Sequence, residues 1–330
     1  MHALIAVVVA WALASAGAEP AAAPARDAWH FELGIGEQQA HMFSDPRFAA
    51  LGLEHVRVVT PYDVACDPGK HQYYLDVWLA EAARVGAQPL VAFSYSWRKR
   101  LRWKVPTYRR FLRCFRDFRA RYPQVRDFNA WNEANHSSQP TFRHPRKAAG
   151  FYNAIRRNCP RCTTAAGDLL DWNNLGRWFE RYRPHLRGRP RLWSIHNYGD
   201  VNRARRWRQT GTFALLRRTR GRLWLTETGG LVHSRHGWSR NEGRAARATR
   251  RMFALARRSR RITRVYAYQW QAACELDAWD SAWFRSDGSA RPAYRTVVAE
   301  LARARGLDAA AAAALDPPLG SAMRDTCDEG

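Results

Sequence analysis

Residues 127–135 read DFNAWNEAN, and the fold turns on how that stretch ends. Phe128, Ala130 and Trp131 have the character of a buried strand. Asn132, Glu133 and Asn135 then arrive just where the apolar run stops. A carboxylate at the end of a buried strand is costly unless it is paired or hydrogen-bonded, so its presence needs a reason. Residues 223–230, LWLTETGG, follow the same order: an apolar run, then Glu227, then glycines. Each stretch delivers one Glu at the C-terminal end of a strand.

Working outward, the chain repeats one unit: a short β-rich run, a loop with polar or aromatic residues, and an amphipathic helix. Strands are expected at 31–36, 55–60, 88–95, 128–133, 163–168, 192–198, 223–227 and 265–270. Helical spacing of apolar residues fills 73–85, 108–122, 146–158, 175–185, 212–218, 242–258 and 292–305. Asn241 suits the N-cap of the sixth of these runs, and Pro292 the first turn of the last. Eight strands alternating with helices predict an α/β fold, a single-domain (β/α)8 TIM barrel over residues 28–305. An open doubly wound sheet is the rival, but no glycine-rich phosphate fingerprint follows the first strand.

The ends read differently. Residues 1–18 resemble a secretory signal: an apolar run over 4–13 leads to Ala16-Gly17-Ala18, a small-x-small cleavage site, although His2 is the only basic group before it. That run is too short to span a bilayer, and no other stretch is apolar enough. Residues 19–27 form an Ala/Pro linker, and 306–330 a low-complexity tail, expected to be a loosely docked helix and a disordered end. The protein is expected outside the cell, as a monomer.

Composition narrows the partners. The net charge is +25, and only four of the 54 basic residues are Lys; the others are Arg. So strong a skew reads as codon drift more than as design for a partner, yet the field it creates attracts polyanions, an acidic polysaccharide or wall polymer among them. No nucleic-acid-binding module is present, so no specific nucleic-acid partner is expected. The fifteen Trp divide between core and flat faces on which sugar rings stack. Six cysteines in an exported chain point to disulfides. Cys159-Pro-Arg-Cys162 reads as a local bridge, Cys114 as a buried thiol, and no metal-ligand spacing is found.

In a (β/α)8 barrel the strand C-termini form the active face. The strand-end residues are Glu37; Arg57, Tyr62 and Asp63; Tyr95 and Trp97; Asn132 and Glu133; Asp168 and Asp171; His196 and Tyr198; Glu227; and Trp270. This ordered set resembles the clan A glycoside hydrolases, retaining (β/α)8 enzymes such as cellulases, mannanases and xylosidases. In them an Asn-Glu pair closes strand four and a second Glu closes strand seven, matched here by Asn132-Glu133 and Glu227. His196-Asn197-Tyr198 matches the His-x-Tyr of strand six, Arg57 the Arg of strand two, and Trp270 the Trp that ends strand eight. The resemblance covers residues 31–300. Strand three departs from it, carrying SYSW over 94–97 where many members have a His, which points to a distant or unassigned family.

The resemblance implies a secreted retaining O-glycosidase that works by double displacement with two Glu and no cofactor. Glu133 is the expected acid/base, with a pKa raised by burial and by the second carboxylate, and Glu227 the nucleophile. Arg57, Tyr198 and His196 are expected to support Glu227. Asn132 is expected to bind the sugar 2-hydroxyl, Trp270 to floor the central subsite, and Trp97 and Trp172 to flank it. Residues 228–240 are expected to wall the cleft through His233 or Trp238. Each residue also has a plain structural role open to it: a Glu as an ion-pair partner, a Trp as packing. Glu37, Asp63 and Glu275 are taken as loop charges. The alternative function is a non-catalytic carbohydrate- or polyanion-binding barrel.

Overall fold

A computed structural model describes residues 29–272 and 278–318. The expected signal, linker, end of the tail, Glu275, Cys274 and Cys327 all lie outside the described residues. Eight parallel strands close into a barrel: β1 (Glu32–Gly36), β2 (His55–Pro61), β3 (Gln88–Ser94), β4 (Asp127–Asn129), β5 (Thr163–Leu170), β6 (Leu192–His196), β7 (Arg222–Thr228) and β9 (Ile262–Tyr268). Closure is made by β9 pairing β1, with Leu33 opposite Val265 and Ile35 opposite Ala267. A short antiparallel ribbon of β8 (His233–Ser234) and β10 (Trp279–Asp280) sits beyond the barrel mouth.

The strands are continuous apolar runs because both faces are covered, by the barrel interior on one side and helices on the other. Leu90, Ala165, Leu192, Trp224 and Tyr266 fill the interior as a cluster distinct from the main core. At the N-terminal ends of the strands Arg264 stacks on Trp224, 4.2 Å from its ring centre, and pairs with Glu32 at 2.9 Å and Asp127 at 2.8 Å. These groups plug the bottom of the barrel and leave the opposite end open.

The outer layer comprises α1 (Pro46–Leu51), α2 (Lys70–Arg84), α3 (Tyr108–Arg121), α4 (Pro145–Asn158), α5 (Leu175–Tyr182), α6 (Tyr198–Asn202), α7 (Gly211–Arg218), α8 (Glu242–Arg257) and α9 (Pro292–Arg305), followed by α10 (Ala309–Ala313). Helix α3 shows why they form. Thr107 caps it by accepting the Arg110 amide, and Phe111, Cys114, Phe115 and Phe118 recur on one buried face. That face meets Phe93 of β3 and Phe128 of β4. Asn241 caps α8 and Pro292 opens α9, as their sequence positions predicted. The tail is docked where it is described: Leu315 is buried and its carbonyl accepts the Tyr294 hydroxyl at 2.9 Å.

Three strands end two or more residues earlier than the sequence suggested. β4 stops at Asn129, β6 at His196 and β9 at Tyr268. The polar residues beyond each end turn away from the ladder: Glu133 takes a left-handed φ of 47°, and Tyr198 starts α6.

Two disulfides tie the outside. Cys159–Cys162 is the expected local bridge. Cys114 is buried, but it is not a thiol: it bridges to Cys66, with the two Cα atoms 4.8 Å apart. The helical pattern around Cys114 revealed its burial and carried no sign of a partner 48 residues earlier.

Candidate active site

The barrel mouth gathers one charged network from five strands. Arg57, on β2 and buried, is its hub. Its Nη1 donates to Glu227 Oε2 at 2.8 Å, and its Nη2 to Asn132 Oδ1 at 2.7 Å and Asp168 Oδ2 at 3.1 Å. Tyr198 donates its hydroxyl to the other oxygen of Glu227 at 3.1 Å. His196 Nδ1 lies 3.2 Å from Glu133 Oε1 and 3.6 Å from Glu227 Oε2, and its Nε2 3.3 Å from Asp168 Oδ1. Asn132, Glu133, Glu227, Arg57, His196 and Tyr198 therefore meet at one place.

Backbone geometry explains the aim. Glu133 and Asp168 hold φ of 47° and 60°, a region that L-residues occupy only when the surroundings enforce it. The Asn132 amide donates to the Phe93 carbonyl at 2.6 Å, which fixes the turn after β4 against β3. Asp168 is held from behind, where Thr226 donates to its Oδ1 at 2.5 Å and Ser194 bonds its amide nitrogen at 2.8 Å. After Glu227, Gly230 is required because a Cβ there would collide with the Ala245 carbonyl of α8.

The charges set one another's protonation. Burial alone would lower the pKa of His196, but the Asp168 and Glu227 carboxylates outweigh it and raise it to about 10. Asp168 shows the converse: burial raises it, and His196 with Arg57 brings it down to about 2. Glu133 departs from the sequence expectation. Burial pushes its pKa up, yet the hydrogen bond and charge of His196 win and leave it lowered. Glu133, His196 and Glu227 each offer a ligand atom within 4.8 Å of the others, a set that a divalent cation fits by distance. An imidazolium has no free lone pair, and Arg57 stands against the same groups, so the electrostatics oppose a cation there.

The network opens into a cleft of about 680 Å³ lined by the loops that follow β4 to β7 and by Tyr268 and Trp279. Glu133 and Glu227 face it, with side chains 20% and 13% exposed. Trp172 stands on its rim, edge-on to His136 at 4.4 Å. Trp238 lines the wall as expected of residues 228–240, together with Leu231, Ser234 and His236. His233 is held in the ribbon instead.

Other placements correct the sequence reading. Trp270 is fully buried and does not floor the cleft. It packs against Phe48, Trp283 and Phe284, and its indole donates to Asp45 at 3.1 Å. Tyr268, two residues earlier, reaches the cleft where Trp270 was expected. Trp97 lies over His71 in a separate depression beside Asp63 and Asp67, away from the cleft. Glu37 is no loop charge, since its buried carboxylate accepts the amides of Gln38, Gln39 and Trp270. Asp63 is likewise buried. The network member without a role in the sequence reading is Asp168. Its one signal is its place in the row of strand-end residues.

No sequence-family model matches the chain, and no curated protein matches it by sequence. Solved structures match its fold. A monomeric beta-xylosidase from Caulobacter crescentus CB15 aligns at a TM-score of 0.56 with 14% identity, over 81% of this chain and 67% of that one. Native xylanase 10B from Thermotoga maritima aligns at 0.56 with 10% identity, over 82% and 95%. A GH128 endo-beta-1,3-glucanase from Amycolatopsis mediterranei aligns at 0.53 with 11% identity, over 82% and 98%. The barrel implied by the clan A resemblance is thus the fold of glycoside hydrolases from several families.

Proposed function

We propose that this protein is a secreted retaining O-glycoside hydrolase acting on a polysaccharide or its fragments. One observation carries the reading: a carboxylate oxygen of Glu133 and one of Glu227 lie within 4.8 Å of each other at the floor of a sugar-sized cleft. Retaining enzymes hold their carboxyl groups roughly 5–5.5 Å apart, whereas inverting ones need room for a water between them. The two disulfides favour an oxidising compartment, and no helix among the described residues is long and apolar enough to cross a membrane.

Glu227, held by hydrogen bonds from Arg57 and Tyr198, attacks the anomeric carbon as Glu133 gives its proton to the departing oxygen. Glu133 then takes a proton from water, whose oxygen displaces Glu227 and releases the sugar. Asn132 is fixed by Arg57 through its Oδ1, and its Nδ2 is the end that meets the sugar 2-hydroxyl. Trp172 offers a flat face beside the reacting sugar, the role that the buried Trp270 does not take.

The test is a screen of chromogenic glycosides and of plant, fungal and bacterial polysaccharides with wild type and Glu227→Gln. Activity on any of them should vanish in the variant, and activity that survives refutes the nucleophile. Azide should rescue Glu133→Ala on an activated substrate and yield a glycosyl azide of retained configuration. A non-catalytic carbohydrate-binding barrel would bind sugars with no turnover that depends on Glu227.

A further inference from the structure

The cleft is unevenly charged. Apart from Glu133 and Glu227 its lining holds one acid, Asp171, and both oxygens of that side chain are occupied. Oδ1 accepts the Gly199 amide at 3.2 Å and Oδ2 the Asp200 amide at 2.6 Å. The basic groups of the lining are Arg203, His136 and His236. Arg203 follows the last residue of α6, the short helix that begins with Tyr198. The segment that hands a hydroxyl to Glu227 therefore ends in a guanidinium.

Arg203 is anchored through its backbone, whose amide donates to the Gly199 carbonyl at 3.1 Å. Its side chain is exposed and makes no ion pair or hydrogen bond among the described residues. Two other arginines near the mouth are engaged. Arg98 pairs with Asp67 at 2.7 Å, and Arg244 donates to the carbonyls of Leu231, Val232 and Ser239. In a chain this rich in arginine an unpaired one is ordinary on open surface. On a cleft wall facing no free carboxylate but the reacting pair, it is a binding group.

We propose, on the basis of the glycosidase reading, that the substrate is an acidic glycan and that Arg203 receives the carboxylate of a uronic acid unit in it. A planar guanidinium matches a carboxylate with two parallel hydrogen bonds. The net charge of +25 draws any polyanion toward the protein, but it has no power to tell a uronate from its neutral twin at one subsite. That discrimination falls to Arg203.

The experiment uses the full chain carrying Glu227→Gln, so that ligands bind without turnover. Oligomers of 4-linked glucuronate, mannuronate and galacturonate are titrated by calorimetry at physiological salt, each beside its carboxyl-reduced neutral form. At least one acidic oligomer should bind about tenfold or more tightly than its neutral twin. Arg203→Gln should abolish the preference and Arg203→Lys should keep part of it. Arg157→Gln, exposed in the last turn of α4 at the far end of the barrel, should leave it intact. The proposal is overturned if no pair is distinguished, if the preference survives Arg203→Gln, or if Arg157→Gln lowers it equally. Stronger Arg203-dependent binding of a sulfated neutral oligomer than of any uronate overturns the carboxylate assignment. Uronate binding by Arg203 with no hydrolysis by wild type would sink the hydrolase reading alone. Hydrolysis of neutral glycans without discrimination would sink only this one.

Discussion

Replacing Arg57 with Met tests whether the network at the barrel mouth is one electrostatic unit. Met keeps much of the volume and removes the charge. The change deletes hydrogen bonds to Glu227, Asn132 and Asp168 and leaves Asp168, which has no solvent exposure, with His196 as its only cationic neighbour among the described residues. Removing one partner of a buried ion pair costs about 3–5 kcal/mol, because the remaining charge is left uncompensated. At roughly 2–4 °C per kcal/mol for a domain of a few hundred residues, Tm at neutral pH should fall by about 10 °C. The dependence on pH is the sharper reading. In the wild type Asp168 has its pKa depressed to about 2, so its contribution to stability is present above the ordinary carboxylate value and is lost as pH falls through about 2. The variant lacks most of that contribution. The stability gap, measured by urea denaturation across pH, should be widest above pH 4 and narrow as the acid limit is approached. A gap near zero at pH 7, or one constant down to pH 2, would refute the linkage of Arg57 to Asp168.

Three further outcomes follow from the same geometry. Because His196 holds the pKa of Glu133 down, the basic limb of kcat/KM should lie on the acid side of neutrality, and His196→Gln should move it to higher pH. A limb that stays in place would show that His196 does not set the proton affinity of Glu133. Asp171 has its pKa raised by burial and by Asp200, so stability present below the ordinary Asp value is lost as pH rises through the shifted one; Asp171→Asn should gain on the wild type as pH rises above about 4 in thermal melts. The Cys66–Cys114 bridge closes a 48-residue loop, worth about 4 kcal/mol by chain entropy, whereas Cys159–Cys162 closes one of three residues. Double Ser replacement at the first pair should therefore lower Tm by more than at the second.

The sequence displayed the barrel because strand-length apolar runs and amphipathic helices alternate, a rhythm set by local chemistry. It displayed Asn132, Glu133, His196, Tyr198 and Glu227 because a polar residue that ends an apolar strand stands out. It hid what depends on rotation about the strand end. Tyr268 and Trp270 lie on one face of an ideal strand, yet β9 stops at Tyr268, and the indole turns outward to Asp45 while the phenol stays at the cleft. Asp168 was visible as a residue and silent as a partner, since its meaning comes from Arg57 and His196 on other strands. The same holds for Glu133. Its burial was foreseeable, but the imidazolium that reverses the effect of burial was not.

Every side chain of the charged network comes from a barrel strand or the few residues after one, and none comes from residues 231–240, which form much of the outer wall of the cleft. Inheritance can thus rewrite the wall without touching the machinery beneath it. A library randomised over that wall would change what the cleft admits and leave the network's hydrogen bonds in place. A protein only 10% identical to this one shares its scaffold at a TM-score of 0.56.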